Sequence, residues 1–160
     1  MLYYASQSIG IFIGHLILYY LSGVIYMKLI FCVEKDNGMM FFGKRHSQDR
    51  NLRAKLMKIV GDNKLWMSSY SAKQFTDYQT IIVDDDYMSK AGTDDYCFVE
   101  NKEYTVVGVT EIILCNWNRK YPSDKFFSTD LKDSNFKRVS TEDIVGSSHK
   151  KITIEIWRRN

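Results

Sequence analysis

The first 26 residues contain no Lys, Arg, Asp or Glu, and the chain of 160 residues has a single proline, Pro122. One proline and nine glycines leave little room for a linker, so the length fits one domain with at most a short appendage. Histidine is as scarce: His15, His46 and His149 make no His-x-His pair, and Cys32, Cys97 and Cys115 make no Cys-x-x-Cys. Zinc-dependent hydrolysis needs several such ligands in one place, and the sequence offers no motif that gathers them. The cysteines are odd in number, widely spaced and set in apolar runs. That suits buried thiols in a reducing cytosol rather than a disulfide framework. A strong charge imbalance is missing too. Lys plus Arg is 22 against 19 acids, a net charge of +3, less than a dedicated nucleic-acid binder concentrates.

Hydrophobic residues make up 45% and aromatics 14%, enough to close a core and to exclude disorder. Within the uncharged leader, Ile9 to Tyr26 is long enough for a membrane span, and Tyr3, Tyr4, Tyr19, Tyr20 and Tyr26 would suit its interfaces. No positive segment precedes the apolar run, so a signal peptide is a poor description. Lys28 is the only charge before "LIFCV", which leaves a span no linker to clear the headgroups, and Met27 is a sensible start. Residues 1–26 are read as a leader, either a mis-assigned start or a membrane anchor, and residues 27–160 as the working domain. The expected location is cytoplasmic, or membrane-anchored if the leader is a span.

Along the domain, Leu29 to Val33 reads as a strand buried on both faces. The turn "EKDNG" follows, with Asn37-Gly38 suited to positive φ. Ser47 is the expected cap of a helix with Asp49 in its first turn, and Leu52, Leu56, Ile59 and Val60 give it an apolar face up to Gly61. Lys64–Met67, Thr80–Val83 (closed by an acidic turn), Tyr96–Glu100 and Thr110–Tyr121 read as further strands, and "SSYSAKQF" as a short helix entered at a serine. At the end, "FKRVS" and "KITIEIWRR" predict an antiparallel hairpin. Ile152, Ile154 and Ile156 take one face of it, and Thr153, Glu155 and Trp157 the other.

This order of pieces resembles a trimmed dihydrofolate reductase. "LIFCVEKDNGMMFFGK", "SQDRNLRAKL" and "KLWMSSYSAKQF" are similar to that family's opening strand, active-site loop, acid-bearing helix and phosphate-binding helix mouth. "EIILCNWNRKYPSDKFFSTDL" and the closing hairpin match its last third, with Ser123 to Phe127 at the turn. The resemblance implies an α/β fold with a mixed, largely parallel sheet and an antiparallel C-terminal hairpin. The family's long helical segment and Gly-Gly turn, whose amides hold the pyrophosphate of a nicotinamide nucleotide, are cut to "NKEYTVVGV". The implied cofactor, NADPH, would meet an incomplete site. The chain also resembles short bacterial proteins sharing "GMMF", "SQDR", "YSAKQF", "YCFVEN" and "WNRKYPSD", which often carry the name ribonuclease Z; the histidine pattern contradicts that name.

The resemblance points to Asp49 as a catalytic acid, which would need burial and a raised pKa; the alternative is a helix-capping acid. His46 is a candidate for proton transfer or anion contact, or else a solvated surface residue. Ser68, Ser69 and Ser71 either hold a phosphate at the helix mouth or simply cap it. Met39, Lys44, Arg45 and Arg50 belong to the loop over the cleft. Asn118, Arg119 and Asp124 stand at the exit of the long strand, where they would meet a planar or anionic ligand. The function expected is small-molecule binding, of a nucleotide or pterin, or a divergent NADPH-dependent reduction. The alternative is an RNA-binding or nuclease protein using Lys44, Arg45, Arg50, Arg53, Arg119 and Lys120 as one basic surface, with His46 as its acid–base group. No metal is expected.

Overall fold

The computed structural model describes residues 26–160, so both readings of the leader lie outside the described residues. Among the described residues, no helix is long and apolar enough to cross a membrane.

A seven-stranded sheet organises the chain, with the opening strand near its middle. Strand β1 (Met27–Val33) is flanked by β6 (Tyr96–Val99) and β7 (Val109–Asn116), both parallel to it. Beyond β6 lie β4 (Leu65–Met67) and β5 (Ile81–Val83), also parallel. Beyond β7 come β10 (Ile152–Arg159) and the edge strand β9 (Phe136–Ile144), both antiparallel to their neighbours. This is the mixed, largely parallel sheet with an antiparallel closing hairpin that the sequence predicts. The central strands are nearly unbroken apolar runs because both their faces are covered.

One face carries helix α1 (Arg50–Val60), whose Leu52, Leu56 and Val60 pack with Ile30, Phe98, Ile113, Ile152 and Ile154. The other face holds Leu29, Phe31, Val33, Val99 and Ile112 under Met39, Met40, Tyr87 and Phe127. As the alternation predicts, Ile152, Ile154 and Ile156 turn toward the α1 side and Trp157 toward the opposite core.

Four local features depart from expectation. The cap of α1 is Asp49, not Ser47: its carboxylate accepts from Asn51 N and Leu52 N, while the chain turns helical only at Arg50. The segment expected as a covering loop is largely strand: β2 (Gly38–Phe41) pairs with β3 (Lys44–Arg45) and β8 (Lys125–Phe126) in a small second sheet. Strand β7 stops at Asn116 because Asn118 adopts a left-handed φ of 55°. The acidic turn after β5 continues into a helical turn, α3 (Tyr87–Lys90), which buries Tyr87. The short helix expected after β4 is α2 (Ser69–Ala72), capped by Ser68.

Of the Asn37-Gly38 pair, only Asn37 takes positive φ, at 67°. Gly38 is required by space instead: a Cβ there would overlap the Ser123 side chain and lie 2.9 Å from Glu34 Cγ. Edge strand β9 exposes Lys137 through Asp143, and its register with β10 shifts between Ile156 and Trp157, so Val139 is left over in the ladder. We expect Gly38→Ala to destabilise the domain by about 1–3 kcal/mol in chemical denaturation. Adding Ser123→Gly should restore part of the loss.

Candidate functional site

The carboxyl ends of β1 and β6 lie beside the β2–β3 hairpin and α2, and Arg45, Glu100 and Ser71 join these pieces. These two strands end in the same way, Val33-Glu34 after β1 and Val99-Glu100 after β6, and both glutamates are buried. Glu34 Oε1 accepts from Asp36 N at 2.6 Å and Gly38 N at 2.9 Å, closing the turn. Glu100 is met by side chains. Arg45 donates to it through Nε at 3.0 Å and Nη2 at 3.1 Å, and Ser71 Oγ donates at 2.7 Å. The Arg45 guanidinium lies 4.3 Å from the Tyr70 ring centroid, and its Nη2 also donates to the Tyr70 carbonyl at 2.9 Å. The Tyr70 hydroxyl accepts from Arg45 N at 2.8 Å. Side-chain exposure is 18% for Arg45 and 8% for Glu100, so the pair is largely withdrawn from water.

The mouth of α2 is filled by the protein's own carboxylates. Ser68 Oγ accepts from Ser71 N at 3.2 Å and donates to Asn101 Oδ1 at 2.8 Å. Ser69 presents both its amide and its hydroxyl to Asp85, at 3.0–3.1 Å. The donors that a phosphate would need are thus already engaged by Glu100 and Asp85. The segment that replaces the Gly-Gly turn of the resemblance is Asn101–Val109, and Glu100 directly precedes it. A dinucleotide pyrophosphate would face carboxylate there rather than bare N–H groups. The residues present do not fit a nicotinamide nucleotide.

Asp49 is placed elsewhere, against the connection between β9 and β10. Its Oδ1 accepts from Asn51 N, Leu52 N and Ser147 N, and its Oδ2 from Ser148 N at 2.8 Å, with His149 Nδ1 at 3.1 Å. His149 in turn stacks on Trp117, with centroids 4.7 Å apart. Burial alone would raise the Asp49 pKa, but the amides of Ser148 and Ser147, then His149 and Leu52, outweigh it and hold the carboxyl well below the usual range. An acid that works near neutral pH needs the opposite shift, so the geometry is that of a cap.

His46 stacks on Tyr121 at 5.1 Å, and its Nε2 lies 3.0 Å from the Pro122 carbonyl and 3.1 Å from Ser123 Oγ. Burial lowers its pKa, only partly offset by the Pro122 carbonyl and by Glu34 and Asp124. Asn118 donates to Lys151 O and Thr153 Oγ1, bracing the start of β10. Asp124 accepts from Phe42 N at 2.9 Å, steadying a hairpin tip where Phe42 and Gly43 have φ of 47° and 69°. Met39 is core, Lys44 and Arg119 are exposed, and Arg50 N donates to Ser147 Oγ.

Of the residues singled out from sequence, the structure brings together Arg45, Ser68 and Ser71. It disperses Asp49 with Arg50, Asn118, and Asp124 with Lys44 to three other places. The basic surface loses Arg45, which turns inward to Glu100. Sequence reasoning missed Glu34 and Glu100; the signal available was a carboxylate ending each of two apolar strands. An open groove of about 640 Å³, lined by Lys132, Phe136, Arg138, Trp157 and Asn160 among others, lies on the β9–β10 face and shares no residue with the Arg45–Glu100 cluster. Among the described residues, no group of three or more His, Cys, Asp or Glu could hold a metal ion.

The sequence matches no family model and no curated protein. Among solved structures it is similar to the dihydrofolate reductase from Enterococcus faecalis, complexed with NADP(H) and RAB-propyl. The TM-score is 0.58 at 12% identity, covering 84% of this chain and 96% of that one. The fold is that of dihydrofolate reductase. At this identity the likeness is one of fold alone, and nothing in it supports the name ribonuclease Z. The reductase fold is kept here with charged side chains closing the ends of its central strands.

Two outcomes follow. Arg45→Met leaves Glu100 buried without its cation and should cost about 3–5 kcal/mol in urea denaturation. The double variant Arg45→Met/Glu100→Leu should recover most of that. Asp49 stabilises the fold fully above the ordinary carboxylate pKa, roughly 3.9. That contribution fades as pH falls from there toward its lower native value. Asp49→Asn should lower stability at neutral pH and flatten the acid limb of a stability–pH curve.

Proposed function

We propose that this chain is a reductase-fold protein that binds a small ligand, a pterin or a nucleotide, without transferring hydride. The ligand site is the cleft between the β2–β3 hairpin and the mouth of α2. One observation carries the reading: the Arg45–Glu100 pair, with Ser71 hydrogen-bonded to the same carboxylate, occupies the side of α2 where the resemblance implies a cofactor phosphate. A nicotinamide nucleotide would have to displace a bidentate ion pair and then place its phosphates beside two carboxylates, Glu100 and Asp85. Tyr70 stands beside the pair, with its ring centroid 4.3 Å from the Arg45 guanidinium. Arg45 is held there by Tyr70 as well as by Glu100, so an anionic group on the ligand would have to compete with Glu100 for it.

The test uses the full chain. Mixed with dihydrofolate and NADPH, it should oxidise no NADPH, and NADPH alone should not raise its melting temperature. A panel of folates, pterins and nucleotides should contain a stabilising ligand; at a hundredfold excess over Kd the gain is roughly 2.7 kcal/mol. NADPH turnover would overturn the non-catalytic reading. No shift with any ligand would remove small-molecule binding.

A further inference from the structure

Cys32 and Cys115 are register partners on the neighbouring parallel strands β1 and β7. Both side chains lie on the α1 side of the sheet, where Cys115 is part of the buried core and Cys32 packs against it, half-buried. Neighbouring strands run roughly 4.8 Å apart. That separation falls inside the range of about 4.4–6.8 Å that Cα atoms take across a disulfide. Cys97 is set apart: it belongs to the opposite core, with its thiol 3.9 Å from Met27 Sδ. The two facing thiols also sit near the carboxyl ends of their strands, next to the cleft, and Cys32 is close enough to Glu100 and Arg45 to feel both charges.

We propose that Cys32 and Cys115 form a reversible oxidation site, closing to an intramolecular disulfide by exchange with a small-molecule disulfide. The proposal rests on strand register and is independent of the ligand reading above. Cys32, the more accessible of the two, reacts first. Its thiol loses a proton and attacks one sulfur of the incoming disulfide; that S–S bond breaks, one thiolate leaves and takes up a proton, and a mixed disulfide remains on Cys32. Cys115 then loses its proton and attacks Cys32 Sγ, expelling the second thiolate, which is protonated in turn. Two protein thiols are oxidised, and one small disulfide is reduced to two thiols. The hydrogen bond with Cys115, together with burial, holds the Cys32 thiol well above the ordinary thiol pKa. Exchange is therefore slow near neutral pH.

The experiment treats the folded full chain with oxidised glutathione, alkylates the remaining thiols, and maps peptides by mass. The expected product has a Cys32–Cys115 cross-link and one alkylated cysteine, Cys97, of the three. Cys115→Ser should trap glutathione on Cys32 as a lasting mixed disulfide, and Cys97→Ser should leave the cross-link unchanged. Three alkylated cysteines after prolonged treatment, or a link through Cys97, would overturn the proposal. Circular dichroism identifies any variant that fails to fold, and the wild-type peptide map then decides alone.

Discussion

A carboxylate at the end of a buried strand must be met by charge or by hydrogen bonds, since an unpaired ion there is too costly to bury. Glu100 is met by Arg45, which arrives from a strand of the small second sheet, and by Ser71, which arrives from α2. That one requirement ties three pieces together. It draws the β2–β3 hairpin over the ends of the central strands, sets the height of α2 above them, and fixes Tyr70 as the plate on which the guanidinium rests. Glu34 solves the same problem on the adjoining strand by local means, taking amides of the turn that follows it.

The same economy recurs at the other acid that mattered to the sequence reading. Asp49 gathers donors from its own helix and from residues 147–149, and so joins the start of α1 to the closing hairpin. Its lowered pKa is the electrostatic record of those donors. Anion-seeking groups at three places, the α2 mouth, the α1 start and the β2 turn, are thus satisfied from within. An external anion can compete only by offering a better fit than a carboxylate already attached to the chain.

The architecture was legible because it is written in local signals. Apolar runs mark strands covered on both faces, the i, i+4, i+8 spacing of Leu52, Leu56 and Val60 marks α1, and the alternation from Ile152 to Ile156 marks the hairpin. Boundaries were less legible where two residues compete for one task. Ser47 and Asp49 are both good caps, and only the 147–149 segment, about a hundred positions away, decides between them. The β2–β3–β8 sheet was hidden because its strands are two to four residues long and β8 joins β2 from more than eighty positions away. The site was least legible. Arg45 looked like one more member of a basic surface, and its inward course depends on Glu100, which sequence spacing does not connect to it.

The two ends of the large sheet bear on how the molecule meets its neighbours. At one end β5 is three residues long and offers little backbone to pair with. At the other, β9 is long and, among the described residues, paired on one side only; Lys137, Arg138, Glu142 and Asp143 line it, and the residue left over at Val139 breaks its rhythm. An incoming strand would find the amides and carbonyls of that edge out of step with its own. Among the described residues, a long edge strand is thereby kept from serving as a template for open-ended stacking.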